Sequence, residues 1–507
     1  MDRKTQGLMN HSTKSQKEIL IARAFSIFIF GYLLFWIIRL YPTLINDEYA
    51  SLDFIYRSVR TGEIHPPEHR FFKPYSLIVG FLAFAGGPFS LLLLSALFGS
   101  GLIFVFYLLA RQKLDFWFAF LSAVMLGFAP DFFDNTVQGI TMIPGAFFIL
   151  LAMYFATRIE DEPGKWKAYS IAGFFGGLCR PESWLLAFPL VIWLFPKDRR
   201  QIYRWVMAPS IIALSALIWF GKDWFLNHNI FNSFEVARYD REIGTGAPSG
   251  LARSASWFYI FLSNKFSIPF LLVCLLGLII YTKDNLKKFH RDPFLIMLVL
   301  FFLFLFLSIR AGLYPQMRFF FLVGALLVFF AGYLLQKIQR FFSARGRAWL
   351  AYMIIAFISC WYFLWSAYRL KTSELKALER NSRIQRATIE LAEYFRPILA
   401  SGHYRILMPD REDEQFSWIL RDLPVQDIIY FRVVHYHAFY EGRDFLSFEP
   451  DWIFWVPGVY QHKGVDEMFK WLSSQDRTEL SGHIISLEKV FGEYRVFRVT
   501  KIQDANQ

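Results

Sequence analysis

Apolar residues in this chain come in long blocks separated by short polar ones. The first block, 19–40, is long enough to cross a bilayer, which takes about 20 residues. Further blocks follow at 86–110, 114–130, 138–157, 168–179, 183–196, 205–220, 257–281, 293–309, 319–336 and 348–368. The pattern predicts a polytopic α-helical membrane protein with about 11 transmembrane helices. Several blocks are short for a span, which is tolerated where helices pack together or line a cavity. The apolar stretch 74–86 reads either as a twelfth span or as a helix at the membrane surface.

Basic residues decide between these readings, because cytoplasmic loops carry an excess of Lys and Arg. With Arg3, Lys4, Lys14 and Lys17 inside, every second connection is basic: Arg111 and Lys113, Arg158 to Lys167, Lys197 to Arg204, Lys283 to Arg291, Lys337 to Arg347. The alternate connections collect acids such as Asp47, Glu48, Asp131, Asp134, Glu182 and Asp223. A twelfth span would invert this order, so 74–86 is expected to be re-entrant or interfacial. The expected organisation is a cytoplasmic tail (1–18), a membrane domain (19–369) with an outer loop at 41–74, and an extracytoplasmic domain (370–507). No small-residue cleavage site follows 19–40, so that block is expected to be an uncleaved span.

Past about residue 372 the pattern changes. Residues 373–400 have helical periodicity with mixed charge, and strand-like runs follow at 404–408, 427–434, 452–456 and 490–499. A helical stretch at 465–472 lies between the last two, and the alternation predicts a small α/β domain. Composition agrees with the membrane reading: 55% of residues are hydrophobic and 59 are Phe, far from a soluble enzyme. The net charge of +12 does not indicate nucleic acid, since basic residues sit between apolar runs instead of forming one stripe. Three cysteines give neither a disulfide framework nor a metal-binding spacing.

Chemistry-bearing residues concentrate in the outer connections. Asp47 and Glu48 end the first span, where a carboxylate pair can act as general base or hold a divalent cation; acids also simply favour a helix N-terminus. Lys73 precedes an apolar helix, either to meet a lipid phosphate or as a snorkelling anchor. Asp131 and Asp134 complete an acceptor or cation site, or cap a helix. Arg180, in Arg180-Pro181-Glu182-Ser183, splits a long apolar stretch, and intramembrane charges are functional candidates; its plain reading is an ion pair with Glu182 capping two short helices. Arg318 stands at a span entrance, where it either touches lipid headgroups or binds phosphate. Asn232 and Arg238 lie in the outer loop 221–256. Together these place acids and bases on one side of the membrane, suited to an anionic lipid substrate and a proton to be removed.

The arrangement resembles the GT-C superfamily of polyprenyl-phosphate-sugar glycosyltransferases, among them protein mannosyltransferases, the lipid A aminoarabinose transferase and arabinofuranosyltransferases. Asp47-Glu48 matches an acidic pair after the first span, Phe72-Lys73-Pro74-Tyr75 a Lys/His-Pro-Pro-Leu-Tyr run, and Arg180-Pro181-Glu182-Ser183 an Arg-Pro-Glu-Gly element with Ser for Gly. Residues 229–233 are similar to an outer-loop motif, with Phe231 in place of its Pro, and Arg318-Phe319-Phe320 loosely matches a late Arg-Tyr element. The resemblance implies sugar transfer, with inversion, from a polyprenyl-phosphate donor to a hydroxyl of a glycan, lipid or protein. Asp47 would be the base, with Glu48 beside it. Lys73, Arg180 and Arg318 would hold the phosphate, while Asp131, Asp134, Glu182, Asn232 and Arg238 would support the acceptor. No cofactor is implied beyond the option of a divalent cation, and motif spelling favours a bacterial inner membrane with the C-terminal domain in the periplasm. A transporter or flippase of an amphipathic substrate, and a non-catalytic assembly protein, are the alternatives. The first is disfavoured by the lack of an internal repeat.

Overall fold

The structure, a computed structural model, describes all residues except 1–2, 45, 62–72, 83–85, 160, 195–201, 234, 236–265, 311–320, 410–412, 424–426, 431–444, 458–468 and 503–507. The helices up to the middle of the bundle are α1 (Arg3–Leu40), α2 (Asn46–Thr61), α3 (Pro74–Leu82), α4 (Gly87–Arg111), α5 (Phe116–Gly127), α6 (Pro130–Val137), α7 (Met142–Ala156), α8 (Trp166–Cys179) and α9 (Ala187–Trp193). They are followed by α10 (Ile202–Asn227), α11 (Ile268–Asn285), α12 (Pro293–Arg310), α13 (Phe321–Ser343), α14 (Ala348–Arg369), α15 (Leu375–Ala400) and α16 (Asp413–Ile419).

Prolines and glycines set many of the boundaries. Pro88 lies in the first turn of α4, where its missing N–H leaves no bond unmade. Pro130 opens α6, which bends 53° from α5 and turns the expected polar connection into a short helix. The last described turn of α8 ends where Arg180 adopts extended backbone (φ −152°, ψ 128°) and Pro181 starts a 3-10 turn, Pro181–Leu186. Glycine also permits close packing: Gly277 of α11 lies against the backbone of Phe330 of α13.

Among the described residues, six helices are long and apolar enough to cross a membrane, or seven if α5 and α6 form one broken span. Helices α7 and the stretch Pro293–Leu307 are apolar but shorter. Of the stretch read as interfacial, 74–82 form α3, and 83–85 lie outside the described residues. α13 is the central helix: 89% of its apolar window is buried, against 22% for α1.

The two ends of the bundle are chemically distinct. At the end where α1 begins, Glu18 meets Arg111 of α4 at 3.1 Å and Asp115 meets Arg340 of α13 at 2.8 Å. At the other end Thr43 donates to the Val137 carbonyl at 2.9 Å. The C-terminal domain sits on this second end: Arg386 donates to the Tyr41 carbonyl at 3.0 Å and Gln385 to the Leu44 carbonyl at 2.9 Å.

Membrane and C-terminal parts are not separated by a linker. α14 passes through a π turn, Leu370–Glu374, into α15, giving one apolar-to-amphipathic helix, Ala348–Ala400, of 53 residues. Beyond it the strands β1 (Arg405–Met408), β2 (Asp427–Tyr430), β3 (Trp452–Trp455), β4 (Arg477–Leu480), β5 (His483–Phe491) and β6 (Tyr494–Lys501) form one sheet in the order β2-β1-β3-β6-β5-β4. β1 pairs in parallel with β2 and β3, and the other pairings are antiparallel. α15 covers one face, with Phe395 against Trp452 and Phe454. The expected single strand at 490–499 is instead a hairpin: Gly492, at φ 55°, turns β5 into β6. Of the expected helix at 465–472, the first half lies outside the described residues and the second half enters a 3-10 turn, Lys470–Ser473.

Candidate functional site

The domain-bearing end of the bundle gathers most of the sequence-predicted residues that the structure describes. Asp47 and Glu48 lie in the first turn of α2, an arrangement compatible with both readings of the pair; their side chains are outside the description. Behind them α2 is firmly seated, with Tyr49, Leu52 and Asp53 buried. Burial pushes the Tyr49 hydroxyl well above its ordinary range, with Tyr41 adding to the shift and Gln415 opposing it. Gly80 of α3 clears a path for Ile55, since a Cβ there would stand 2.7 Å from its Cδ1.

Lys73 is only 5% exposed, and its carbonyl accepts from Leu77 at 3.1 Å in the first turn of α3. A snorkelling lysine keeps its ammonium in water, whereas this residue is buried as a whole. From neighbouring Tyr75 an aromatic chain runs through Phe98 to Phe147 and Phe148 of α7, each step 5.4–6.3 Å. It links α3 to the first half of α7, beside Arg180.

Arg180 is 6% exposed, and its Nη2 donates to Glu182 Oε1 at 2.7 Å, so the expected ion pair forms. Its stem passes directly over Gly145 of α7, where a Cβ would stand 2.7 Å from Arg180 Cγ. The pair lines a cleft with Met142, Ala146 and Ile149 of α7, Phe301 of α12 and Leu322 of α13. The second carboxylate oxygen of Glu182 is buried and has no hydrogen-bond partner among the described residues, and the hydroxyl of Ser183 is in the same state. A buried acceptor left unmade costs about 1–3 kcal/mol. The corner therefore carries a fixed cation beside an acceptor that a ligand can satisfy. The cleft encloses about 10 Å³, the room of about one water.

Of the remaining acids, Asp134 has a side-chain partner. Gln138 donates to Asp134 Oδ1 at 2.7 Å, and Asn135 to the backbone carbonyl of Asp131 at 2.6 Å. Asp131 stands in the first turn of α6, as a helix-end acid would. Asn232 is half-buried in a turn whose next residue is clamped: the Ser233 N–H and hydroxyl donate to the Asp223 carboxylate at 2.9 and 2.8 Å, and Lys222 pairs with it at 2.5 Å. Asp223, buried to 1%, thus anchors the outer loop. Sequence reasoning counted it only as an outer acid. Its position four residues after the buried Trp219 was the available helical signal.

Residues 65–221 match the family model of dolichyl-phosphate-mannose-protein mannosyltransferases. No curated protein sequence matches the chain. Among solved structures, ArnT from Cupriavidus metallidurans bound to undecaprenyl phosphate superposes with a TM-score of 0.56 at 12% identity, covering 94% of this chain and 97% of that one. Its apo form gives 0.53 at 12% identity, covering 97% and 99%. The Archaeoglobus fulgidus oligosaccharyltransferase tethered with an acceptor peptide gives 0.52 at 11% identity, covering 85% and 69%. This chain has the fold of the GT-C glycosyltransferases. It is an integral membrane protein with a GT-C bundle and a small C-terminal sheet domain. Within this GT-C frame the structure brings Lys73, Arg180, Glu182, Asp131 and Asp134, with the helix of Asp47 and Glu48, to one end of the bundle. Arg318 and Arg238 lie outside the described residues.

Proposed function

We propose that the chain transfers a sugar from a polyprenyl-phosphate donor to an acceptor hydroxyl at the end of the bundle that carries the C-terminal domain. The observation that carries this reading is the buried Arg180–Glu182 corner, a fixed cation with an unfilled acceptor beside it in an apolar bundle. A buried ion pair is a weak source of stability, while an intramembrane charge marks a substrate path. The undecaprenyl phosphate bound by the ArnT neighbour is the lipid class this corner suits.

In the reaction, the bond from the anomeric carbon to the phosphate oxygen breaks as the acceptor oxygen bonds the opposite face, so configuration inverts. Asp47 takes the acceptor's proton, and Glu48, Asp131, Asp134, Asn232 and Arg238 support the acceptor. The leaving phosphate keeps the electron pair, and Lys73, Arg180 and Arg318 disperse its charge. Glu182 Oε2 accepts from a sugar hydroxyl. Because the cleft is small, donor entry involves its opening. The outer face would be periplasmic and the N-terminus cytoplasmic, matching the alternation of basic loops.

The test is turnover of labelled polyprenyl-phosphate sugars, pentose and hexose, by the protein in nanodiscs. Asp47→Asn keeps size and loses basicity. We expect turnover to fall by about two orders of magnitude or more, the scale of general-base catalysis, with an unchanged melting temperature. Near-normal turnover by the variant would remove Asp47 from the role.

A further inference from the structure

The chain between α1 and the middle of α2 is gripped from above by the C-terminal domain. Two grips are on backbone carbonyls: Arg386 Nη2 and Nε donate to the Tyr41 carbonyl at 3.0 and 3.1 Å, and Gln385 Nε2 donates to the Leu44 carbonyl at 2.9 Å. These bracket the entry to α2. Gln385 is itself tied to α16, since Gln415 Nε2 donates to its carbonyl at 3.1 Å. A third grip is aromatic. Trp418 of α16 meets the Tyr56 ring at 5.9 Å and 82°, and Arg421, just beyond α16, lies 4.2 Å from the Trp418 ring and 5.1 Å from that of Tyr56.

Trp418 does not belong to the core of its own domain. That core is built from α15 residues and the sheet, including Leu391, Phe395, Phe454 and Val496. Trp418 instead packs into the apolar core of the helical bundle, the one described buried residue past position 400 to do so. On its other side α2 rests on Leu77 of α3 and Leu226 of α10 through Phe54 and Ile55. A 16-residue helix is marginal by itself in water, so its orientation depends on what packs against both sides.

We propose that the C-terminal domain is a positioning element for the reaction: Gln385 and Arg386 of α15, with Trp418 and Arg421, hold residues 41–56 so that the turn carrying Asp47 and Glu48 keeps one orientation against the bundle. The proposal rests on the reading of Asp47 as base. A general base acts only within hydrogen-bond reach of the proton it takes, and about 1 Å of misplacement lowers a rate roughly 100-fold. The phosphate corner is built on other elements, α7, α8 and the 3-10 turn, so the two halves of the site separate experimentally.

Trp418→Ala and Trp418→Phe in the full-length protein in nanodiscs test this with three measurements: hydrogen exchange, undecaprenyl phosphate binding and turnover. In Trp418→Ala the amides of α2 should exchange about tenfold faster or more, with α4 and the sheet unchanged, and undecaprenyl phosphate affinity should stay within about twofold. kcat should fall about 10- to 100-fold with the donor KM unchanged, and Trp418→Phe should restore most of both effects. Arg386→Ala, which removes an exposed side chain, should reproduce the pattern more weakly and serves if Trp418→Ala does not fold. Unchanged α2 exchange in the folded variants overturns the proposal, as does faster exchange with unaltered kcat. Absence of turnover in the wild type overturns the transfer reading and the catalytic half of the proposal, while exchange still decides whether the domain holds α2.

Discussion

Two buried carboxylates at opposite ends of the bundle are built to opposite specifications. Asp292, 2% exposed where α12 begins, has all its accepting capacity in use. Tyr281 donates at 2.7 Å, Lys113 at 3.3 Å, and the N–H groups of Phe294 and Leu295 at 3.0 and 3.2 Å. Glu182, 6% exposed, has one oxygen on Arg180 and the other without a partner among the described residues. A saturated carboxylate fastens helices, here α11, α12 and the turn between α4 and α5. A half-used one beside a cleft is, on the proposed reading, a binding group. The same contrast holds more broadly. Many pairs at the α1-start end sit in water, such as Asp115–Arg340 with both side chains more than half exposed, whereas Lys73, Arg180, Glu182 and Asp223 at the other end are buried.

The sharpest way to break this contrast is Asp292→Ala. It strands a buried tyrosine hydroxyl and two backbone donors, so stability should fall by about 3 kcal/mol, read as a lower melting temperature. Transfer per folded molecule should be retained, and lost transfer at full stability would show that this end is not purely structural. Arg180→Ala should do the reverse. Donor affinity should drop by a contact of about 1.5–3 kcal/mol, and Arg180→Lys should lose less, keeping charge without the fork. Unchanged donor binding with a lowered melting temperature would reduce Arg180 to a helix cap for Glu182.

Gly145→Ala sharpens the same point without touching a charge. The new methyl meets the Arg180 stem, and the displaced guanidinium should cost about 1 kcal/mol of donor affinity, at the low end for overpacking. In an Arg180→Ala background that effect should vanish, because the two changes act on one contact. The smallest effect is reserved for Asp115→Ala, which breaks an exposed pair and should change stability by less than about 1 kcal/mol and donor binding not at all.

How much of this the sequence discloses depends on whether the cause is local. Arg180 was legible because Pro181 follows it and ends a helix in the middle of an apolar run, a signal contained in two residues. The bundle was legible because apolar blocks declare themselves one at a time. The β5–β6 hairpin was not, since its tight Gly492 turn sits inside a run of strand-forming residues that reads as one strand. The join at 369 and 370 was read as a domain border because polarity changes there, yet helix propensity continues across it. Burial of Lys73, the clearance of Gly145 and the seat of Trp418 arise from segments far apart in the chain, so no window of sequence contains them.

The unbroken helix from Ala348 to Ala400 has a mechanical meaning. Its 53 residues reach about 80 Å and run through the π turn Leu370–Glu374, which joins the bundle to the sheet domain. Tyr362 of that helix donates to the Met125 carbonyl, so the sheet domain is carried on a helix seated in the bundle. Under the proposed transfer reading, the acceptor would come in from the flank, beneath a domain whose height above the lipid is set by that helix.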